Sequence, residues 1–298
     1  MSGRFGNLLT AMVTPFDAQG RLDLATAEKL AVWLIEHGSD GLVVAGSTGE
    51  AATLSDDEKS ELWRVVADAA TGRAKVVAGT GTYDTAHSIH LTNLAEKAGV
   101  DAVLVVTPYY NRPPQAGLVA HFKAIAASTD MPVILYDIPV RSALKMEHAT
   151  IMELARVANI VGVKDACGDA QGASRIVADA PSGFDLYSGN DGDTLPWLAV
   201  GAVGLISTAG HVAGPEIAEM IRLHHAGDLP GALKIHLQLM PVFDVLGITT
   251  NPIPLKAAME IIGHPVGDPR LPLIAATPEQ KIKIRSVLEA AGLQAFNG

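Results

Sequence analysis

The apolar positions of this chain fall into eight short, nearly continuous runs, separated by longer stretches in which they recur every three or four residues. The runs are "LLTAMVT" (8–14), "GLVVAG" (41–46), "KVVAGT" (75–80), "DAVLVVTP" (101–108), "PVILYD" (132–137), "IVGVKD" (160–165), "DLYSG" (185–189) and "GLIST" (204–208). They are rich in β-branched residues and lack strict alternation, as expected of strands covered on both faces. Between them lie helix patterns. Over 24–37, Leu24, Ala27, Leu30, Leu34 and Ile35 share one stripe, with Asp23 as N-cap and Gly38 just past the end. Ser55 and Glu58 have capping-box spacing ahead of Leu62, Val65 and Val66. Gly72 and Gly99 end two further helices.

Eight strand–helix units with short connections predict a (β/α)8 TIM barrel over residues 1–226 rather than an open doubly wound sheet. No G-x-G-x-x-G follows the first strand, which disfavours a dinucleotide fold. Residues 227–298 predict a C-terminal helical extension. Within it "TTNPIPLKAAMEIIG" starts a helix near Pro252 or Pro254 and ends it at Gly263.

Composition narrows the function classes. The chain has 298 residues, 48% of them hydrophobic, enough for one large core. A formal net charge of −10 with no Lys/Arg run argues against nucleic acid or an anionic membrane as partner. Cys167 is the single cysteine, so no intrachain disulfide can form, and no Cys/His cluster has zinc spacing. The start lacks the basic segment and apolar run of a signal peptide, and no apolar run approaches the roughly 20 residues of a membrane span. A cytoplasmic protein is the expectation.

Barrel chemistry sits at the C-terminal ends of strands. The second run ends in Ser47, Thr48 and Glu50, the fourth in Tyr109, Tyr110, Asn111 and Arg112, and the fifth in Tyr136, Asp137 and Arg141. The sixth carries Lys164 inside an apolar strand. Strand alternation that turns Lys164 inward also turns Gly162 and Ile160 inward, leaves space beside the lysine at Gly162, and faces Val161, Val163 and Asp165 to the helices. Burial disfavours an ammonium, and a neutral amine attacks ketones to give a Schiff base. The plainer alternative is a lysine that reaches the rim or pairs with Glu50 or Asp137. Tyr136 on the adjacent strand could shuttle protons for such an amine, or be a core tyrosine bonded to backbone. Ser47 and Thr48 could relay protons, bind a carboxylate, or form a tight turn. Arg141 offers a bidentate fork for a carboxylate, or a surface ion pair. Asp191 and Asp193 in the seventh loop would repel a phosphate. His87 and His90 lack an H-E-x-x-H pattern, and G-x-S-x-G is absent.

Five stretches in matching order, "GSTGEAATL", "TPYYNRPPQAGLVAHF", "LYDIPVRS", "GVKDA" and "NPIPLKAAM", resemble the dihydrodipicolinate synthase family, within the pyruvate-dependent class I aldolases that include N-acetylneuraminate lyase. The resemblance covers almost the whole chain. It implies condensation of pyruvate with L-aspartate-4-semialdehyde, without metal or organic cofactor, in a homotetramer of two tight dimers. It implies Lys164 as Schiff-base lysine, Tyr136 as relay tyrosine, and Ser47 where these synthases usually carry threonine. It further implies Tyr110 as a relay residue lent across the tight dimer interface, and Thr48 on the pyruvate carboxylate. Gly189 and Ile206 would supply backbone groups near pyruvate, and Arg141 would receive the semialdehyde carboxylate. Asp56, Lys59, Tyr83 and His87 match the cleft where related enzymes bind L-lysine; a cation at Lys59 predicts weak feedback inhibition or none. Two rivals remain: another pyruvate aldolase or keto-sugar-acid lyase or dehydratase using the same lysine, and a catalytically silent barrel that only binds.

Overall fold

The structure, a computed structural model, describes residues 3–293. The outermost residues of the two predicted segments, 1–2 and 294–298, lie outside the described residues. Eight parallel strands close into a barrel in chain order. They are β1 (Leu8–Ala11), β2 (Gly41–Val44), β3 (Lys75–Gly79), β4 (Ala102–Val106), β5 (Val133–Asp137), β6 (Ile160–Asp165), β7 (Asp185–Ser188) and β8 (Gly204–Ser207), with β1 pairing β8 to close the ring. Around it lie α1 (Leu24–Glu36), α2 (Asp56–Ala70), α3 (Thr85–Lys97), α4 (Gln115–Ala126), the short α5 (Pro139–Ser142), α6 (His148–Leu154), α7 (Ala170–Asp179), α8 (Thr194–Ala199) and α9 (Gly210–His225). Three helices follow: α10 (Leu229–Leu246), α11 (Ile253–Ile261) and α12 (Pro278–Ala290). Among the described residues, no helix is long and apolar enough to cross a membrane.

Local sequence explains the helix boundaries. Asp23 accepts from the Thr26 N–H at the start of α1, and Ser55 and Glu58 close a reciprocal capping box on α2. A cap of this kind stabilises by about 1 kcal/mol. Gly38, Gly72 and Gly99 follow their helices at positive φ, the conformation that a missing Cβ permits.

Two apolar layers result. The larger one lies between strands and helices and holds Trp63, Leu118, Phe122 and Val163. A smaller one fills the barrel with Leu9, Val43, Val77, Leu104, Ile134, Tyr187 and Ile206, and Phe5 packs into it from the N-terminal segment.

Strands β1 and β2 end earlier than their apolar runs. The Val13 N–H leaves the sheet to donate to His211 Nε2, and Ala45 turns the chain at φ 55°. A left-handed alanine costs roughly 1–2 kcal/mol. Its position is held by Gly79, where a Cβ would stand 2.3 Å from the Ala45 carbonyl oxygen.

The pleat of β6 differs from simple alternation. Val133 pairs with Ile160, but the next residue, Ile134, pairs with Gly162, leaving Val161 as an extra residue. Ile160 therefore packs with the helix layer and Val161 with the barrel interior, the reverse of the alternation expected for these two. Above the bulge the expected order holds: Val163 packs outward, and Lys164 pairs in register with Tyr136. Gly162 does not leave room for the lysine. Its missing Cβ admits the neighbouring strand, since a Cβ there would stand 2.5 Å from the Asp185 carbonyl oxygen.

Candidate active site

Lys164 sits in β6 between Tyr136 of β5 and Tyr187 of β7, its register partners on either side. It is only 6% exposed. Its Nζ lies 4.4 Å from the centroid of the Tyr136 ring. Neither alternative partner takes it. Glu50 is engaged by Lys256, with Nζ 2.7 Å from Oε1, and Asp137 Oδ2 accepts from the Met146 N–H and the Cys167 thiol behind the sheet. Among the described residues, no carboxylate oxygen lies within 4.0 Å of Lys164 Nζ.

The two flanking tyrosines differ. Tyr187 is fully buried, and its hydroxyl donates to the Gly6 carbonyl at 3.0 Å, so it behaves as a core residue. The Tyr136 ring is buried, yet it lines two adjoining cavities of about 320 and 430 Å3 at the C-terminal mouth. Both cavities also meet Ser47, Ile138, Arg141 and Asn251, while Lys164 and Thr48 line the second.

The turn after Ala45 carries Ser47 and Thr48 into this mouth. Thr48 Oγ1 accepts from Asn251 Nδ2 at 2.9 Å. Arg141 donates from Nη2 to the Asn251 carbonyl at 3.0 Å and, among the described residues, forms no carboxylate pair, so it does not make the surface ion pair that was its alternative. Pro139 at the start of α5 fixes the approach of that arginine. Gly189 lines the second cavity at the end of β7, where its N–H donates to the Asp165 carbonyl at 2.6 Å. Ile206 lies deeper, 1% exposed, in the barrel-filling cluster.

Tyr109 and Tyr110 part company. Tyr109 lines the first cavity and meets Tyr83 edge-on, with burial raising its phenol above the ordinary range. Tyr110 adopts φ 73° and is 91% exposed, outside the mouth of its own chain.

Two mouth residues were given no role on sequence grounds. Asn251, inside the quoted "NPIPLKAAM" stretch, ties both Thr48 and Arg141 to the chain ahead of α11. The sequence pattern assigns Asp191 only a charge against phosphate. It is half-buried beside Lys164, where its Oδ1 accepts from Ser207 Oγ at 2.5 Å and its Oδ2 from the Thr208 and Ala209 N–H groups at 3.2 Å. Burial holds this carboxyl above the ordinary range, opposed by those bonds and by the charge of Lys164. The spacing "SGND…STA" was the available signal: two adjacent strand ends, one offering a carboxylate and the other a hydroxyl.

The predicted lysine cleft is assembled around Asp56. His87 Nε2 lies 3.0 Å from it, His90 Nε2 3.7 Å and Lys59 Nζ 3.8 Å. Burial lowers the Lys59 ammonium below its ordinary range, opposed by Asp56 and Glu58. Tyr83 stands apart from this group, against Tyr109.

The profile of the Dihydrodipicolinate synthetase family matches residues 4–291. The chain belongs to that family. A 4-hydroxy-tetrahydrodipicolinate synthase from Moorella thermoacetica is 52% identical over 290 residues, covering 97% of this chain and 99% of that one. The dihydrodipicolinate synthase of Bacillus anthracis superposes with a TM-score of 0.94 at 45% identity, over 96% of this chain and 98% of its own. The Cyanidioschyzon merolae enzyme, solved with lysine bound, gives 0.96 at 44% identity over 98% and 100%. Membership in the dihydrodipicolinate synthetase family accounts for the closed barrel.

Proposed function

We propose that the chain is a 4-hydroxy-tetrahydrodipicolinate synthase, a lyase that condenses pyruvate with L-aspartate-4-semialdehyde on the route to diaminopimelate and lysine, with Lys164 as its nucleophile. The observation that carries the assignment of the nucleophile is a buried amine with no carboxylate partner, set against the Tyr136 ring and open to a cavity. The Lys164 amine adds to the pyruvate ketone carbon, and loss of water gives the imine. The imine is the electron sink, so a methyl proton can leave to form the enamine without help from a metal or organic cofactor. The enamine carbon attacks the aldehyde carbon, whose oxygen takes up a proton. The substrate amine then adds to the imine carbon and expels Lys164, closing the ring.

Tyr136 carries protons in the imine-forming steps, with Ser47 next in the relay. Thr48, held by Asn251, binds the pyruvate carboxylate, and Gly189 and Ile206 line its position with backbone groups. Arg141 receives the carboxylate of the semialdehyde through its planar fork. Tyr110, exposed in the single chain, completes the relay of a partner subunit across a tight dimer, two such dimers forming the working tetramer in the cytoplasm.

The experiment is the initial rate of pyruvate consumption with L-aspartate-4-semialdehyde, beside N-acetylmannosamine and glyceraldehyde. Turnover confined to the semialdehyde is the expected result. Turnover confined to a sugar aldehyde would retain Lys164 and overturn the reading of Arg141. No turnover, with no borohydride-trapped pyruvate adduct, would leave a barrel that only binds.

A further inference from the structure

The turn that follows β7 brings Asp191 over the end of β8, where three donors hold its carboxylate. Ser207 Oγ donates to Oδ1, and the Thr208 and Ala209 N–H groups donate to Oδ2. Ser207 Oγ itself accepts from the Gly210 N–H at 2.7 Å, which leaves the hydroxyl proton for Asp191. Hydrogen bonds from donors favour the ionised form of a carboxyl and oppose the effect of burial. The three bonds also fix its place, because a carboxylate so engaged does not swing towards a new partner without breaking them.

This carboxylate and Lys164 line the same cavity, and the charge of Lys164 acts on Asp191. The two do not touch: no ion pair within 4.0 Å joins them. The other titratable groups around them are turned elsewhere. Asp244, also along the cavity, is exposed on α10, and Asp193 accepts from the Asn190 side chain at 2.8 Å. The carboxylate that acts on His236 of α10 is that of Asp193. His211 of α9 lies between the Val13 N–H and the Thr208 carbonyl. On the strand side, Tyr136 offers Lys164 its ring, Tyr187 turns its hydroxyl to Gly6, and Arg141 donates to the Asn251 carbonyl. Asp191 is thus a fixed anion set near the amine without contact.

We propose that Asp191 is the counter-charge of the cationic imine at Lys164, a positioning residue that acts on the reaction through its field and not through a bond. The inference rests on the reading of Lys164 as the Schiff-base lysine. The neutral amine adds to the pyruvate ketone carbon and gives a carbinolamine. Its hydroxyl takes a proton through Tyr136 and leaves as water, while the nitrogen lone pair closes the C=N bond, so the imine carries one positive charge. Loss of a methyl proton then gives the neutral enamine. The cation stands between two neutral species, and an anion held nearby favours it over both. A carboxylate bonded to Nζ would instead hold the free lysine as an ammonium and oppose the attack. The three donors on β8 and the turn after it keep Asp191 from doing so.

Reductive trapping of pyruvate by cyanoborohydride, which reduces the cationic imine and spares the neutral one, tests this on the whole chain. The adduct on Lys164 is read by mass spectrometry against pH. In Asp191→Asn the profile should move to lower pH by about one unit, because the cation has lost its anion. Ser207→Ala keeps the charge and removes one donor; it should lower the yield without moving the profile. Asp191→Ala carries the same series should Asp191→Asn lose its circular dichroism. An adduct in Asp191→Asn with the wild-type profile would overturn the inference and leave Lys164 as the nucleophile. A shift of equal size in Ser207→Ala would trace the effect to the shape of the turn and also overturn it. No adduct on Lys164 in the wild-type protein would overturn the reading of Lys164 and this inference together.

Discussion

Lys164 and Lys256 are two lysines with nearly the same burial and opposite circumstances. Each is at most 6% exposed, and each holds its Nζ about one ring's depth from an aromatic face, 4.4 Å over Tyr136 and 4.3 Å over Phe16. Lys256 projects from α11 and lies 2.7 Å from Glu50, in a joint that also seats Arg270 over Phe16 and bonds its backbone N–H to Glu50 Oε2. Burial lowers the Lys256 ammonium, opposed by Glu50. Lys164 has the aromatic neighbour without the counter-ion, and a cavity where the counter-ion would be. Burial alone therefore does not tell these two lysines apart. The partner does.

The sharpest way to break this contrast is to remove each amine. Lys164→Ala should lose turnover by more than about 10^3-fold while its melting temperature stays close to wild type, and mass spectrometry after pyruvate and borohydride should find no adduct. A large fall in melting temperature would make Lys164 structural after all. Tyr136→Phe should keep the fold and lower kcat by about 10^2- to 10^4-fold, with imine formation slowed in a single-turnover measurement. Lys256→Ala should do the converse. It leaves Glu50 buried and uncompensated, so denaturant unfolding should show a loss of about 3–5 kcal/mol, and Lys256→Met with Glu50→Gln should recover part of it. Arg141→Ala should lower kcat/KM for the semialdehyde about 10- to 100-fold, as expected for a lost hydrogen bond to a charged group, without changing the pyruvate adduct. The smallest expected effect is that of L-lysine on the initial rate, none or slight, because Asp56 already faces Lys59, His87 and His90. Clear inhibition at physiological lysine would contradict it.

The barrel was legible because parallel strands covered on both faces write themselves as apolar runs, and because Asp23, Ser55 and the helix-ending glycines act locally. Lys164, Tyr136, Ser47, Thr48 and Arg141 come together at the mouth for the same reason: each stands at or just after the end of a strand. What escaped was set by contacts distant in sequence. The Val161 bulge needs a partner strand to exist, and alternation read along one strand cannot register it. Asn251 acts on Thr48, 203 positions away. Asp191 reads along the chain only as a charge that repels phosphate, whereas β8 and the turn after it supply Ser207 and two N–H groups to receive it. Tyr110 is 91% exposed and lines neither mouth cavity, which strand position alone does not reveal.

The bulge in β6 also works as a change of phase. A strand is a two-state code, in or out, and Val161 inserts half a period between the strand's foot and its tip. Foot and tip are thereby read in different frames. Deleting the single codon for Val161 would leave every other residue in place and restore perfect alternation from Ile160 to Asp165. Foot and tip would then share one frame with their facing unchanged, Lys164 still at the mouth and Asp165 towards the helices, and the barrel interior would lose only the Val161 side chain.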